Sequence, residues 1–105
     1  MLAFGHRLHR AFHHQTRREW PSLQYRWDMM TTHELYGKTV AIVGYGSIGK
    51  TFEHLILNFP INILRFAQTA RDNVYPISEI NNFLPEIDVV VLIVPLTDST
   101  RNLFN

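Results

Sequence analysis

The sequence predicts an α/β fold, a doubly wound parallel sheet, and three observations carry that prediction. Val40-Ala41-Ile42-Val43 is an apolar, mostly β-branched run that stops at a glycine, and glycines then recur at Gly44, Gly46 and Gly49 as G-x-G-x-x-G. From Ile48, the apolar residues Phe52, Leu55, Ile56 and Phe59 continue at steps of three and four, one face of a helix. A later stretch, Val89-Val90-Val91-Leu92-Ile93-Val94, is apolar throughout, as suits a central parallel strand covered on both faces. Strands alternating with helices in this way give a parallel sheet with crossover helices.

At 105 residues the chain has room for one small core, and 46% hydrophobic against 18% charged residues marks it as globular. The net charge of +1 excludes little, but its distribution is uneven. Arg7, Arg10, Arg17, Arg18 and Arg26, with four histidines, face only Glu19 and Asp28 in residues 1–31. A solvated helix face explains this better than a nucleic-acid surface. There is no cysteine, which removes disulfides and thiolate metal sites and fits a cytoplasmic protein. No apolar run approaches the roughly 20 residues of a membrane span, and Arg7, His9 and Arg10 interrupt any signal-peptide pattern.

Residues 2–19 are predicted to form one long helix. Phe4, Leu8, Ala11, Phe12 and Gln15 share a side, and His6, His9, Arg10, His13 and Arg17 lie elsewhere on the wheel. Pro21 ends it. His6, His9 and His13 have a spacing that lets imidazoles converge, yet no carboxylate or cysteine completes a metal set, so a polar face is the reading adopted. Residues 20–37 read as an irregular arm in which Trp20, Tyr25 and Trp27 act as packing pads under a loop or at an interface. Residues 1–33 thus form a connecting helix and arm, and residues 34–105 the α/β part.

In that second part, strands are expected at residues 38–43, 61–66 and 89–94, with a helix at 47–58 ended by Pro60. Asn73-Val74-Tyr75 makes a short edge strand closed by Pro76, and Ser78 caps a short helix through Leu84, broken by Pro85. The expected strand order is 3-2-1-4 with right-handed crossovers.

A strand, a glycine turn and a helix are the context in which G-x-G-x-x-G binds a dinucleotide. Gly44 supplies the tight turn, Gly46 admits a pyrophosphate close to the backbone, and Gly49 lets the helix pack against the strand. The N–H groups around Ser47 and Ile48 then meet the phosphates at the positive end of the helix, and Tyr45 lies inside the same turn.

Two further segments point to a family. Glu34-Leu35-Tyr36-Gly37-Lys38-Thr39-Val40 is similar to the E-L-x-G-K-T-V entry to the cofactor domain of D-isomer-specific 2-hydroxyacid dehydrogenases. Pro95-Leu96-Thr97, with Thr100 and Leu103-Phe104-Asn105, resembles that family's P-L-T-x-x-T-x-x-L-x-N segment. Residues 2–20 resemble the helix joining its two domains. The resemblance implies a Rossmann-like NAD(P)-binding domain, truncated, from an oxidoreductase that reduces 2-ketoacids such as glyoxylate or hydroxypyruvate. It implies that Val94, Pro95 and Leu96 line the nicotinamide-ribose side, that Thr100 belongs to the same site, and that the full-length protein is a homodimer. It also implies that the catalytic Arg, Glu and His follow this stretch and that a substrate-binding half precedes it. No catalytic residue is therefore assigned, and the isolated chain is expected to be inactive and poorly soluble.

The rival to an enzyme is a non-catalytic dinucleotide-binding or protein-interaction module. A methyltransferase is disfavoured because Ala67 stands where an acidic residue would hold the ribose hydroxyls. The same position bears on the cofactor. With Ala67 and Gln68 neutral at the end of the second strand and Arg71 four residues on, NADP is favoured over NAD, Arg71 pairing with the 2′-phosphate. Arg65 is the weaker candidate for that contact.

Overall fold

The computed structural model describes residues 1–104; Asn105, the last position of the P-L-T segment, lies outside the described residues. The chain divides into two compact units, Met1–Leu35 and the part from Tyr36 onward.

In the first unit the expected single helix is two: α1, Leu2–Gly5, and α2, Leu8–Thr16. The break has a local cause and a tertiary one. Gly5 is a poor helix former, and its carbonyl accepts the His33 N–H at 2.9 Å. Arg7 takes a left-handed conformation with φ 51°, which an L-residue adopts only when other contacts compensate. Here its guanidinium reaches the Met29 carbonyl at 2.7 Å, joined there by Arg10 at 3.0 Å. That carbonyl belongs to a helix in the supposed irregular arm, α3, Leu23–Met30. Ser22 caps α3 by accepting the Tyr25 N–H, and Gln24 bonds Asp28 one turn on. Trp20 and Trp27 are strongly exposed, so neither is a pad beneath a loop of this chain.

The second unit is a four-stranded parallel sheet in the order expected. Its elements are β1, Thr39–Val43; α4, Ser47–Ile56; β2, Asn62–Ala67; β3, Tyr75–Pro76; α5, Ile80–Phe83; and β4, Val89–Leu92. The order across the sheet is β3-β2-β1-β4, and among the described residues β4 pairs with β1 alone. Pro76 lies within β3 rather than after it, opposite Ala67. Ser78 does not cap a helix: 3₁₀ turns at Ile77–Glu79 and Leu84–Glu86 flank α5, and Pro85 opens the second of them.

Strand alternation sorts the core into two faces. Ala41, Val43 and Phe66 are buried with Ile80, against Leu64, Ile77, Phe83 and Ile87. Ile42 and its register partner Arg65 therefore point to the opposite face. That face meets α4, where Ile42 Cγ2 lies 3.3 Å from the place a Gly49 Cβ would occupy. The α4 stripe predicted from periodicity needs correction here. The buried residues of α4 are Gly49, Glu53 and Ile56, whereas Ile48 and Leu55 are 67% and 69% exposed. Arg65 explains that rotation. A guanidinium on a covered sheet face needs a countercharge, and Glu53 provides it only when α4 turns that side inward.

The six-residue apolar run at 89–94 is not covered on both faces. Val89 and Val91 are half-buried, but Val90 and Leu92 are 40% and 53% exposed on the sheet's outer edge. Asp88 fixes the register of this strand, accepting Lys38 Nζ at 2.8 Å and the Thr39 N–H at 2.9 Å.

Candidate functional site

The site lies at the carboxyl ends of β1, β2 and β4, where ligands bind in open parallel α/β sheets. Its floor is the turn after β1. Gly44 has φ +96°, and a Cβ there would stand 2.2 Å from the Ile93 carbonyl oxygen. Only glycine lets the chain leave β1 so close to β4. The Gly44 and Tyr45 amides both donate to the Phe66 carbonyl at 2.9 Å, which holds the turn against β2.

Gly46 is the N-cap of α4, and no side chain caps the helix. Its own N–H is used by the Gly44 carbonyl at 2.8 Å, and the first helical bond runs from Lys50 N–H to the Gly46 carbonyl at 3.0 Å. The Ser47, Ile48 and Gly49 amides thus head the helix without intrahelical acceptors. A Cβ on Gly46 would meet nothing within 4 Å, so open space adjoins this backbone. Gly49 is different: a Cβ there would press on the Gly44 carbonyl oxygen at 3.1 Å. It serves helix-on-strand packing.

A cleft of about 280 Å³ opens beside the turn. Gly44, Tyr45 and Gly46 form one wall, Ala67, Gln68 and Arg71 a second, and Val94, Pro95 and Thr100 a third. These sequence-predicted residues come together. Ser47, Ile48 and Gly49 sit at the head of α4 outside that lining, and Leu96 is turned to solvent. Ile77, Ile93 and Thr97 complete the lining and were not singled out from the sequence. Thr97 stood within the quoted P-L-T motif. Thr100 Oγ1 accepts the Thr97 N–H at 2.8 Å and donates to the Pro95 carbonyl at 2.5 Å, which folds the loop after β4 into a wall.

The two arginines of this region play different parts. Arg71 extends its guanidinium to the Tyr45 carbonyl at 2.7 Å and makes no ion pair among the described residues. Arg65 is held away from the cleft lining by Glu53: its Nε lies 3.1 Å from both carboxylate oxygens, and an Nη contacts Oε1 as well. The Glu53 carboxylate also accepts the Tyr45 hydroxyl, and the Tyr45 ring lies 5.7 Å from the Arg65 guanidinium. Hydrogen bonding to Arg65 holds the Glu53 carboxyl below its ordinary pKa, and donation to Glu53 raises that of Tyr45.

A family model described as the NAD-binding domain of D-isomer-specific 2-hydroxyacid dehydrogenases matches residues 1–105. The chain belongs to this family. Among curated members it is 32% identical, over 115 aligned residues covering all of it, to a glyoxylate reductase of Thermococcus onnurineus. Among solved structures it superposes on a Thermus thermophilus protein with TM-score 0.74 and 27% identity, covering 97% of this chain and 32% of that one. An NADPH-dependent glyoxylate/hydroxypyruvate reductase of Sinorhizobium meliloti gives TM-score 0.68 at 26% identity, covering 95% and 38%. The chain spans about a third of the length of the relatives it matches. Within the D-2-hydroxyacid dehydrogenase family, it corresponds to the NAD-binding domain.

The residues around the turn suit the chemistry of a dinucleotide: open space beside Gly46 and the amides at the head of α4 suit a pyrophosphate, and the apolar Ile77 and Val94 of the adjoining cleft suit a nucleoside. Among the described residues, no helix is long and apolar enough to cross a membrane.

Proposed function

We propose that this chain is the cofactor-binding part of a D-2-hydroxyacid dehydrogenase that reduces small 2-ketoacids, glyoxylate and hydroxypyruvate foremost. The uncapped start of α4, with open space beside Gly46, carries this reading. Ser47 and Ile48 would bind the pyrophosphate through their amides, and Tyr45 would border it. Ala67 and Gln68 would lie beside the adenosine ribose, and Val94, Pro95, Leu96 and Thr100 on the nicotinamide side. When bound, the nicotinamide supplies hydride transfer, while the protein supplies position and electrostatics. The groups that bind the substrate carboxylate and move the proton belong to other parts of the protein. Residues 1–33 would join this domain to the substrate half and help form a homodimer; the exposed Phe4, Phe12 and Trp27 support that role.

NADP is the preferred cofactor in this reading. Among the described residues Arg71 has no carboxylate partner, Ala67 and Gln68 bring no negative charge, and Arg65 is engaged by Glu53. A guanidinium binds a phosphate through two hydrogen bonds and a full charge. Separate NADPH and NADH titrations of the full-length protein and of Arg71→Ala test this. A loss of NADPH binding that exceeds any loss of NADH binding by about 1–3 kcal/mol is expected, the range for a charged hydrogen-bond partner. Equal affinities that Arg71→Ala leaves unchanged would refute it. The rival reading is a non-catalytic dinucleotide-binding module. Reduction of glyoxylate by the full-length protein decides between the two.

A further inference from the structure

We propose that Glu53 is a positioning residue for the dinucleotide cradle, acting through Tyr45 and Arg65; this rests on the dinucleotide reading above. The observation is a charged residue in the wrong place for a helix that only packs. Glu53 is 7% exposed, on the side of α4 turned to the sheet, where an apolar residue would pack without needing a partner. It has two partners. Arg65 comes from β2, and the Tyr45 hydroxyl comes from the glycine-rich turn. Three elements are therefore joined at one carboxylate: the turn, the helix whose N-terminus faces the pyrophosphate, and the strand that ends at the ribose.

Tyr45 is restrained at every polar group it has. Its N–H donates to Phe66, its carbonyl accepts from Arg71, and its hydroxyl donates to Glu53. The Tyr45 hydroxyl remains a donor and the Glu53 carboxylate an acceptor at neutral pH, because hydrogen bonds from Arg65 and then Tyr45 lower the Glu53 pKa and donation to Glu53 raises that of Tyr45. A turn held in this way meets a ligand without having to be ordered first, and that ordering otherwise weakens binding. The network also fixes the division of labour between the arginines. Glu53 occupies Arg65, so Arg71 is the guanidinium left facing the cleft.

The role of Glu53 in positioning differs from a role in folding alone by what changes in a titration. A variant that merely folds less well presents fewer binding sites at an unchanged Kd. A variant with a loosened turn presents the full number of sites at a weaker Kd. Tyr45→Phe is the mild probe, since it removes one hydroxyl and keeps the ring over Arg65; Glu53→Gln keeps an acceptor but removes the charge. In the full-length protein, fluorescence titration with NADPH and with NADH should give full stoichiometry for both variants. Kd should rise by about threefold to tenfold for both cofactors alike, a tenfold change being about 1.4 kcal/mol. Arg71→Ala provides the contrast, because it removes the phosphate contact as well as one restraint on Tyr45 and should weaken NADPH more than NADH. Unchanged Kd values, or lost sites at unchanged Kd, would overturn the positioning role while leaving the dinucleotide reading intact. A wild-type protein that binds neither cofactor would overturn both.

Discussion

Replacing Gly44 with alanine tests whether the turn, rather than the general packing, fixes the site. At φ +96° an L-residue is strained, at a cost of about 1–2 kcal/mol. The new Cβ would also lie 2.2 Å from the Ile93 oxygen and 2.6 Å from its carbon, both backbone atoms that cannot rotate away. Relief requires β1 and β4 to part near Val43, where the Ile93 N–H donates to the Val43 carbonyl at 2.7 Å. Losing that bond adds about 1 kcal/mol. The sum is about 2–3 kcal/mol, a large part of the stability of a small domain, typically about 5–15 kcal/mol. Urea unfolding followed by circular dichroism reads it directly: with slopes of about 1–3 kcal/mol per molar, the midpoint should fall by about 1 M or more. Gly46→Ala is the internal control, because it has negative φ and nothing within 4 Å. Its stability should stay within about 0.5 kcal/mol of wild type, the usual range for a surface change. Equal midpoints for Gly44→Ala and Gly46→Ala would refute the reasoning.

Three further outcomes follow from the same contacts. Phe66, fully buried between Phe83 and Tyr75, should cost about 3–5 kcal/mol on truncation to alanine, measured by the same unfolding assay. The Glu53 carboxyl titrates below its ordinary value of 4.5 in the folded state because Arg65 bonds it, so its contribution is fully present above that value and is lost as pH falls through the lower folded one. The stability gap between wild type and Glu53→Gln should therefore be constant near neutrality and close in acid, and a gap unchanged down to about pH 2, below the usual carboxylate range, would contradict the ion pair. Leu92→Lys, on the open edge of β4, should reduce self-association of the isolated chain in sedimentation velocity, since charged residues blunt exposed sheet edges.

What the sequence made legible was local. The G-x-G-x-x-G spacing, the β-branched run before it and the prolines after it specify a turn and its strands through backbone preferences, and the strand order followed. Most of the cleft was legible for the same reason, since Gly44, Tyr45, Gly46, Ala67, Gln68, Arg71 and the Val94–Pro95 stretch lie at strand ends. The failures were tertiary. Arg7 turns left-handed because Met29 and His33 supply partners from more than twenty residues away. The rotation of α4 was misread because its apolar pattern includes Ile48 and Leu55, while Arg65 on another element selects the side bearing Glu53. Helix α3 had one local signal, Ser22 after Pro21, masked by the aromatic residues on either side. The Val89 run has the composition of a central strand, and its exposed side follows from the expected strand order, which leaves β4 at the edge of the sheet.

The central claim is that the turn after β1 and the head of α4 hold a dinucleotide. A crystal structure of the full-length protein with NADPH tests it most directly. The pyrophosphate should lie within hydrogen-bond distance of the Ser47 and Ile48 amides, with the adenosine ribose beside Ala67 and its 2′-phosphate on Arg71. A nucleotide seated elsewhere, or a pyrophosphate making no contact with the Gly46–Gly49 backbone, would contradict it.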